Sequence, residues 1–164
     1  MTPAETLRAV HERRPAHSLS QAFYQDEGLF RLDLENIFYR DWIFAGHDCE
    51  IDNPGDYFTL RIGDYSIIVA RDAQGRVRAH HNACRHRGYK LCDAAKGHVK
   101  RRFVCPYHQW SYELDGSLAR TRGMGTEFDA SKHGLKPVHA ESIAGWIFVC
   151  VAAQDRLDQP SPRA

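Results

Sequence analysis

No stretch of the 164-residue chain approaches the roughly 20 consecutive apolar residues that a membrane span needs, and Met1 to Ser20 lacks the apolar centre of a secretory signal. The expectation is a cytoplasmic protein with no membrane partner. A marked excess of one charge is also missing. The formal net charge is +1, whereas a nucleic-acid binder usually concentrates a strongly basic face, so no nucleic-acid partner is expected. Five cysteines, an odd number at irregular spacing, exclude a complete disulfide framework. They suit a reducing compartment in which thiolates bind metal. Internal repeats and low-complexity tracts are absent as well.

What is present has the composition of one soluble domain with a buried core, 43% hydrophobic and 26% charged, and the length leaves no room for a second catalytic domain. Residues 1–25 are polar, carry Pro3 and Pro15 and show no sustained period, so they read as an arm over the surface or an irregular end. In 26–45 the pattern changes. Leu29, Leu32, Leu34, Ile37 and Phe38 recur at helical spacing behind Asp26, a good N-cap, which predicts an amphipathic helix of about three turns and then a lead-in strand at Trp42.

From 46 to 153 the period falls to two or the apolar runs become short. Strands are expected at Trp42–Phe44, Tyr57–Ile62, Tyr65–Ala70, Val77–His80, Phe103–Val104, Trp110–Leu114 and Trp146–Val151. Asn53-Pro54-Gly55-Asp56, Ile62-Gly63-Asp64, Asp72-Ala73-Gln74-Gly75 and Asp115-Gly116 supply the turns between them. The fold class is therefore mainly β, antiparallel, with an N-terminal α-helix. Residues 154–164, polar and containing Pro160 and Pro162, read as a linker cut short.

Two short segments carry the chemistry. Cys84-Arg85-His86-Arg87-Gly88 and Cys105-Pro106-Tyr107-His108-Gln109-Trp110 each offer one thiol and one imidazole, with 18 residues between His86 and Cys105. Thiolate favours the iron of an iron–sulfur cluster. Neutral imidazole is a weaker donor, so two His in place of two Cys on one iron raise the reduction potential above that of an all-Cys cluster. A Cys and a His so close in sequence reach one small cofactor only from a turn, and each segment is expected at the end of a hairpin. The same four residues also make up a Cys2His2 zinc set. Zinc modules, however, usually keep Cys with Cys and His with His on each arm.

The spacing Cys-x-His … Cys-x-x-His, together with Arg87-Gly88, Pro106, Tyr107 and Trp110, resembles the Rieske [2Fe-2S] family. That resemblance implies an antiparallel Rieske β-sandwich, with Cys84 and Cys105 on the inner iron and His86 and His108 on the outer one. It leaves Arg87, Tyr107 and Trp110 as supporting neighbours. Respiratory-type members carry an additional Cys in each loop, joined as a disulfide; Tyr107 stands in that place here, so Cys92 is expected to be a free, buried thiol. Cys49 and Cys150 are read as small buried hydrophobes. Arg85, Arg87, Lys90, Arg120 and Arg122 are candidates for a positive rim around the His edge.

Ile37 to Gly46, Pro54-Gly55-Asp56-Tyr57 and Gly145 to Val149 resemble the start of the α-subunit of Rieske non-haem iron oxygenases, the aromatic-ring-hydroxylating dioxygenase type. Gln21-Ala22-Phe23-Tyr24 and Ala45 to Glu50 are similar to its quaternary-amine branch, which acts on glycine betaine, choline, carnitine or stachydrine. In such enzymes a flavin or ferredoxin-type reductase feeds the cluster. The electron then passes to a mononuclear Fe(II) in a following catalytic domain, usually in a neighbouring α-subunit of a trimer. The resemblance implies that this chain, without that domain, stores and passes one electron but has no catalytic residues of its own. A stand-alone Rieske ferredoxin is the alternative; it would usually begin near Gly55, without the helix and Trp42.

Overall fold

The computed structural model describes residues 1–152, so the expected linker, 154–164, lies outside the described residues. The antiparallel β expectation is met. One sheet has seven strands: β1 (Ile43–His47), β2 (Asp56–Ile62), β3 (Tyr65–Arg71), β4 (Val77–His81), β5 (Lys96–His98), β9 (Pro137–Ile143) and β10 (Trp146–Cys150), in the order β1-β10-β9-β4-β3-β2-β5. The other has three: β6 (Arg102–Val104), β7 (Ser111–Glu113) and β8 (Leu118–Arg120).

The pattern of β3 explains how the layers join. Ile67, Ile68, Val69 and Ala70 are fully buried, and a strand without a solvent face needs an unbroken β-branched and small apolar run. Because side chains alternate, Ile67 and Val69 pack with Ile51, Phe58, Ile147 and Val149, while Ile68 and Ala70 pack with Cys84, Cys105, Trp110 and Tyr112. β3 is thus the wall shared by the sheet core and the core beneath the two Cys–His segments.

The N-terminal region departs from expectation. Residues 3–11 form a helix, α1 (Pro3–His11), with no buried residue. Its start is a capping box: Thr2 Oγ1 accepts from the Glu5 amide, the Glu5 carboxylate accepts from the Thr2 amide at 2.7 Å, and Pro3 opens the first turn. Thr2-x-x-Glu5 is a helix-start signal, and it suffices here although the segment behind it has no sustained apolar period. The Met1 amino group then binds Asp26 at 2.6 Å. After α2 (Ala22–Gln25), Asp26 caps α3 (Glu27–Asp33) as expected. The helix does not run its predicted length, because Leu34–Phe38 widens into a π turn. Tyr39 leaves that turn to accept a hydrogen bond from Asp64 at 3.1 Å, over the β2–β3 hairpin. Gly63 there has φ +53°, and a Cβ would lie 2.2 Å from the Tyr39 hydroxyl, so glycine is required.

Three strands were not foreseen. β5 and β8 are only three residues long, and β9 opens on Pro137 and carries Glu141 and Ser142, so none shows a readable period. Cys49 is exposed rather than buried; its short 3-10 turn, Asp48–Ile51, buries Ile51 instead. Cys92 and Cys150 are buried and all five thiols are free. Among the described residues no helix is long and apolar enough to cross a membrane.

His80 on β4 is 3% exposed, and its ring presses against Gly116 in the β7–β8 turn. Burial lowers its pKa to about 4. The unfolded chain therefore takes up this proton first as pH falls. The stability contributed by neutral His80 is full above about pH 6.5 and is lost between there and pH 4, about 2 kcal/mol of it from pH 7 to pH 5. Urea midpoints should fall over that window, and His80→Gln should remove more than half of the fall. An undiminished fall in the variant would contradict this assignment.

Candidate metal centre

The first Cys–His segment lies in the connection from β4 to β5. Asn82, 3% exposed, closes its base: the side-chain carbonyl accepts from the Leu91 and Cys92 amides at 3.0 and 2.9 Å, and the amide group donates to the Cys92 carbonyl at 2.7 Å. β4 and β5 are not neighbours, so this segment is not a hairpin end, contrary to expectation. The second segment is one, since β6 and β7 pair through Val104 and Ser111.

The two segments nevertheless form the same turn. The Cys84 amide donates to the Tyr89 carbonyl and the Gly88 amide to the Cys84 carbonyl, both at 2.8 Å. The Cys105 amide donates to the Trp110 carbonyl at 2.8 Å and the Gln109 amide to the Cys105 carbonyl at 2.9 Å. Both turns place a positive φ four residues after the cysteine, +70° at Gly88 and +61° at Gln109. The turn points each cysteine inward and carries the intervening histidine toward the surface.

The structure brings the predicted side chains together as two pairs, the thiols of Cys84 and Cys105 within reach of each other and the rings of His86 and His108 side by side. Cys84 and Cys105 are 3% and 1% exposed. Burial pushes the Cys105 thiol up, while the Tyr107 and His108 amides, which face its sulfur, pull it down; these donors favour a thiolate that a metal would complete. The His86 and His108 rings lie 4.7 Å apart, half-buried. Desolvation, then His108 and Arg87, lower the His86 pKa, favouring the neutral ring that ligation needs. His108 Nδ1 is buried with no hydrogen-bond partner, as a nitrogen reserved for a ligand would be. Among the described residues no three His, Cys, Asp or Glu side chains close around a single point. The donor set fits a cofactor with two metal ends.

Of the expected neighbours, Trp110 stacks on His86 at 4.9 Å with 14° between planes and is itself backed by Phe128. Tyr107 lies against His108 at 3.8 Å and is 55% exposed. Arg87 is exposed and makes no ion pair among the described residues. Asn82 carries no signal in the sequence, and Tyr112, which with Trp110 flanks the second loop, reads there first as core packing beneath it. Tyr112, on β7 and fully buried, places its hydroxyl 3.2 Å from Cys84 Sγ and accepts from the Arg85 amide at 2.9 Å. The amide can only donate, so the phenol proton is free to point at the sulfur. Burial, then Cys84, pushes the phenol pKa up, which keeps that proton in place. Tyr at the second position after the Trp110 of loop two was the available signal, but an aromatic in a strand reads first as core.

Residues 41–138 match the family model for the Rieske [2Fe-2S] domain. The chain belongs to that family. Its cofactor is accordingly the Rieske [2Fe-2S] cluster. This Rieske domain is 49% identical, over 91% of its length, to the glycine betaine monooxygenase oxygenase subunit of Chromohalobacter salexigens, of which it covers 34%. Among solved structures it is similar to the quaternary ammonium Rieske monooxygenase CntA in complex with L-carnitine, with TM-score 0.76, 33% identity, and coverage of 81% of this chain and 38% of that one. It is also similar to naphthalene 1,2-dioxygenase from Rhodococcus, with TM-score 0.79, 33% identity, and coverage of 88% and 34%. The chain thus spans about a third of the length of the curated relatives it matches, and the likeness falls on the quaternary-amine branch.

Removing a hydrogen bond to a cluster thiolate stabilises the oxidised form relative to the more negative reduced form. Tyr112→Phe should therefore lower the reduction potential by about 50 mV, the equivalent of about 1 kcal/mol, with the cluster retained. Protein-film voltammetry of the two proteins reads the shift directly. An unchanged potential would mean that the phenol proton does not reach the sulfur.

Proposed function

We propose that the chain is the electron-relay domain of a Rieske oxygenase α-subunit, with Cys84, His86, Cys105 and His108 holding the cluster. The observation that carries this reading is the repeated turn, which buries two thiols and sets two imidazoles side by side near the surface. When bound, the cluster supplies a one-electron store whose potential the imidazole pair raises. The protein's part is positional. The Tyr107 and His108 amides stabilise the Cys105 thiolate, Tyr112 steadies Cys84, and Trp110 holds the His86 ring flat on its face. The imidazole edge faces outward, where an electron enters and leaves.

Residues 46–153 are the cluster-carrying unit in this proposal, 26–45 its lead-in and 154–164 the link to the rest of the parent enzyme. That remainder would hold the mononuclear Fe(II), receive the electron across a subunit boundary of a trimer, and carry out O2-dependent N-demethylation or hydroxylation. The donor would be a flavin or ferredoxin-type reductase. Five free thiols support a cytoplasmic setting. The helical lead-in docked through Tyr39 favours an oxygenase part over a stand-alone ferredoxin.

Electron paramagnetic resonance after dithionite reduction, with iron, sulfide and zinc assayed on the same sample, tests the proposal. The expected result is a rhombic signal of low average g with about two irons and two sulfides per chain, lost in Cys105→Ser. About one zinc per chain and no signal after anaerobic reconstitution would refute it.

A further inference from the structure

Five cations near the two loops, Arg85, Arg87, Lys90, Arg120 and Arg122, could all be solvated charge, but the structure separates them. Lys90 is paired with Asp93 at 3.4 Å, whereas the four arginines make no ion pair among the described residues. That leaves unpaired positive charge on and beside the two loops of a chain whose net charge is +1. Arg120 and Arg122 do more than decorate the rim. With Arg102, Val104, Gln109 and Ser111 they line a groove of about 460 Å³ that also takes in Cys105 and Pro106 of the second cluster loop. The guanidinium of Arg102 already holds the Glu113 carboxylate, at 2.7 Å, while those of Arg120 and Arg122 hold none. Val104 in the groove and Tyr107, next along the loop from Pro106, are 53% and 55% exposed, and Tyr107 contacts both Tyr89 and His108. An apolar, aromatic centre beside unpaired arginines has the composition of a transient protein interface.

We propose that the Arg120–Arg122 groove is the docking seat for the electron donor, and that the donor is a protein presenting carboxylates around a one-electron iron–sulfur or flavin centre. The proposal rests on the electron-relay reading above and adds where, and by what charge, the electron arrives. A donor seated there abuts the loop that carries Cys105 and His108. One electron leaves the reduced donor and enters the cluster; no bond is made or broken. Charge complementarity sets the association rate, and salt screens it over a Debye length of about 8 to 10 Å.

The test uses the cluster-loaded chain and two donors in stopped flow: a reduced plant-type [2Fe-2S] ferredoxin, which is acidic, and the methyl viologen radical cation. With ferredoxin the second-order rate should fall at least about tenfold between 20 and 200 mM salt. In Arg120→Glu/Arg122→Glu it should fall at least about tenfold at low salt, while the viologen rate stays within about threefold. Arg120→Gln/Arg122→Gln should give a smaller loss of the same sign, which guards against misfolding of the reversed variant. Arg13→Glu/Arg14→Glu makes the same change in net charge on the N-terminal segment and should leave the ferredoxin rate nearly intact. A ferredoxin rate indifferent to the groove variants, or equally sensitive to the Arg13/Arg14 reversal, overturns the docking seat. Failure of the viologen radical to reduce the unaltered protein instead overturns the electron-relay reading beneath it.

Discussion

The hydroxyl of Tyr112 stands on β7, behind the second loop, yet its two contacts, Cys84 Sγ at 3.2 Å and the Arg85 amide at 2.9 Å, both belong to the first. This one buried group sets the two loops in register. The loops come from different sheets, one leaving β4 and the other joining β6 to β7, and no strand pairing links them. What holds them facing each other is the hydrophobic cluster of Ile68, Ala70, Cys84, Cys105, Trp110 and Tyr112, with the phenol as its polar pin. A buried polar contact of that kind is worth only about 1 kcal/mol in stability, but it fixes geometry, which a nonspecific apolar core does not.

Behind this pin stands β3. Because its two faces serve two cores, a displacement in the large sheet is felt at the cluster loops through Ile68 and Ala70. Truncating Ile68 to alanine should cost about 2–5 kcal/mol. Asn82 transmits the same strand order to the first loop by a different route, since it bonds Ser66 of β3 and both backbone polar groups of Cys92 at the loop's far end. The layout therefore separates functions: apolar packing positions the thiols, hydrogen-bonded turns present the histidines, and charge gathers around the exposed edge.

Much of this was legible in the sequence where the physics is local. The β-branched run at Ile67–Ala70, the glycine turns and the paired Cys–His spacing each follow from short-range chemistry, and the structure places them accordingly. The non-local features were not legible. β9 is a strand because β4 and β10 flank it, not because Pro137-Val138-His139-Ala140 favours one. The first loop reads as a hairpin until β5 is seen to pair with β2. Gln109 occupies the left-handed position that Gly88 fills in the first loop, a repeat invisible without backbone angles. Tyr112 and Asn82 matter through contacts 28 and 10 residues away in sequence, which composition and periodicity do not report.

The central claim is that two identical turns present two imidazoles to one end of a single iron–sulfur cofactor. Pulsed electron paramagnetic resonance of the dithionite-reduced, cluster-loaded chain tests it most directly, because nitrogens bound to the reduced iron give resolved couplings. Two inequivalent histidine nitrogen couplings are predicted, with one lost and the other retained when His108 is replaced by Cys. A single coupling in the unaltered protein, or none, would contradict the account.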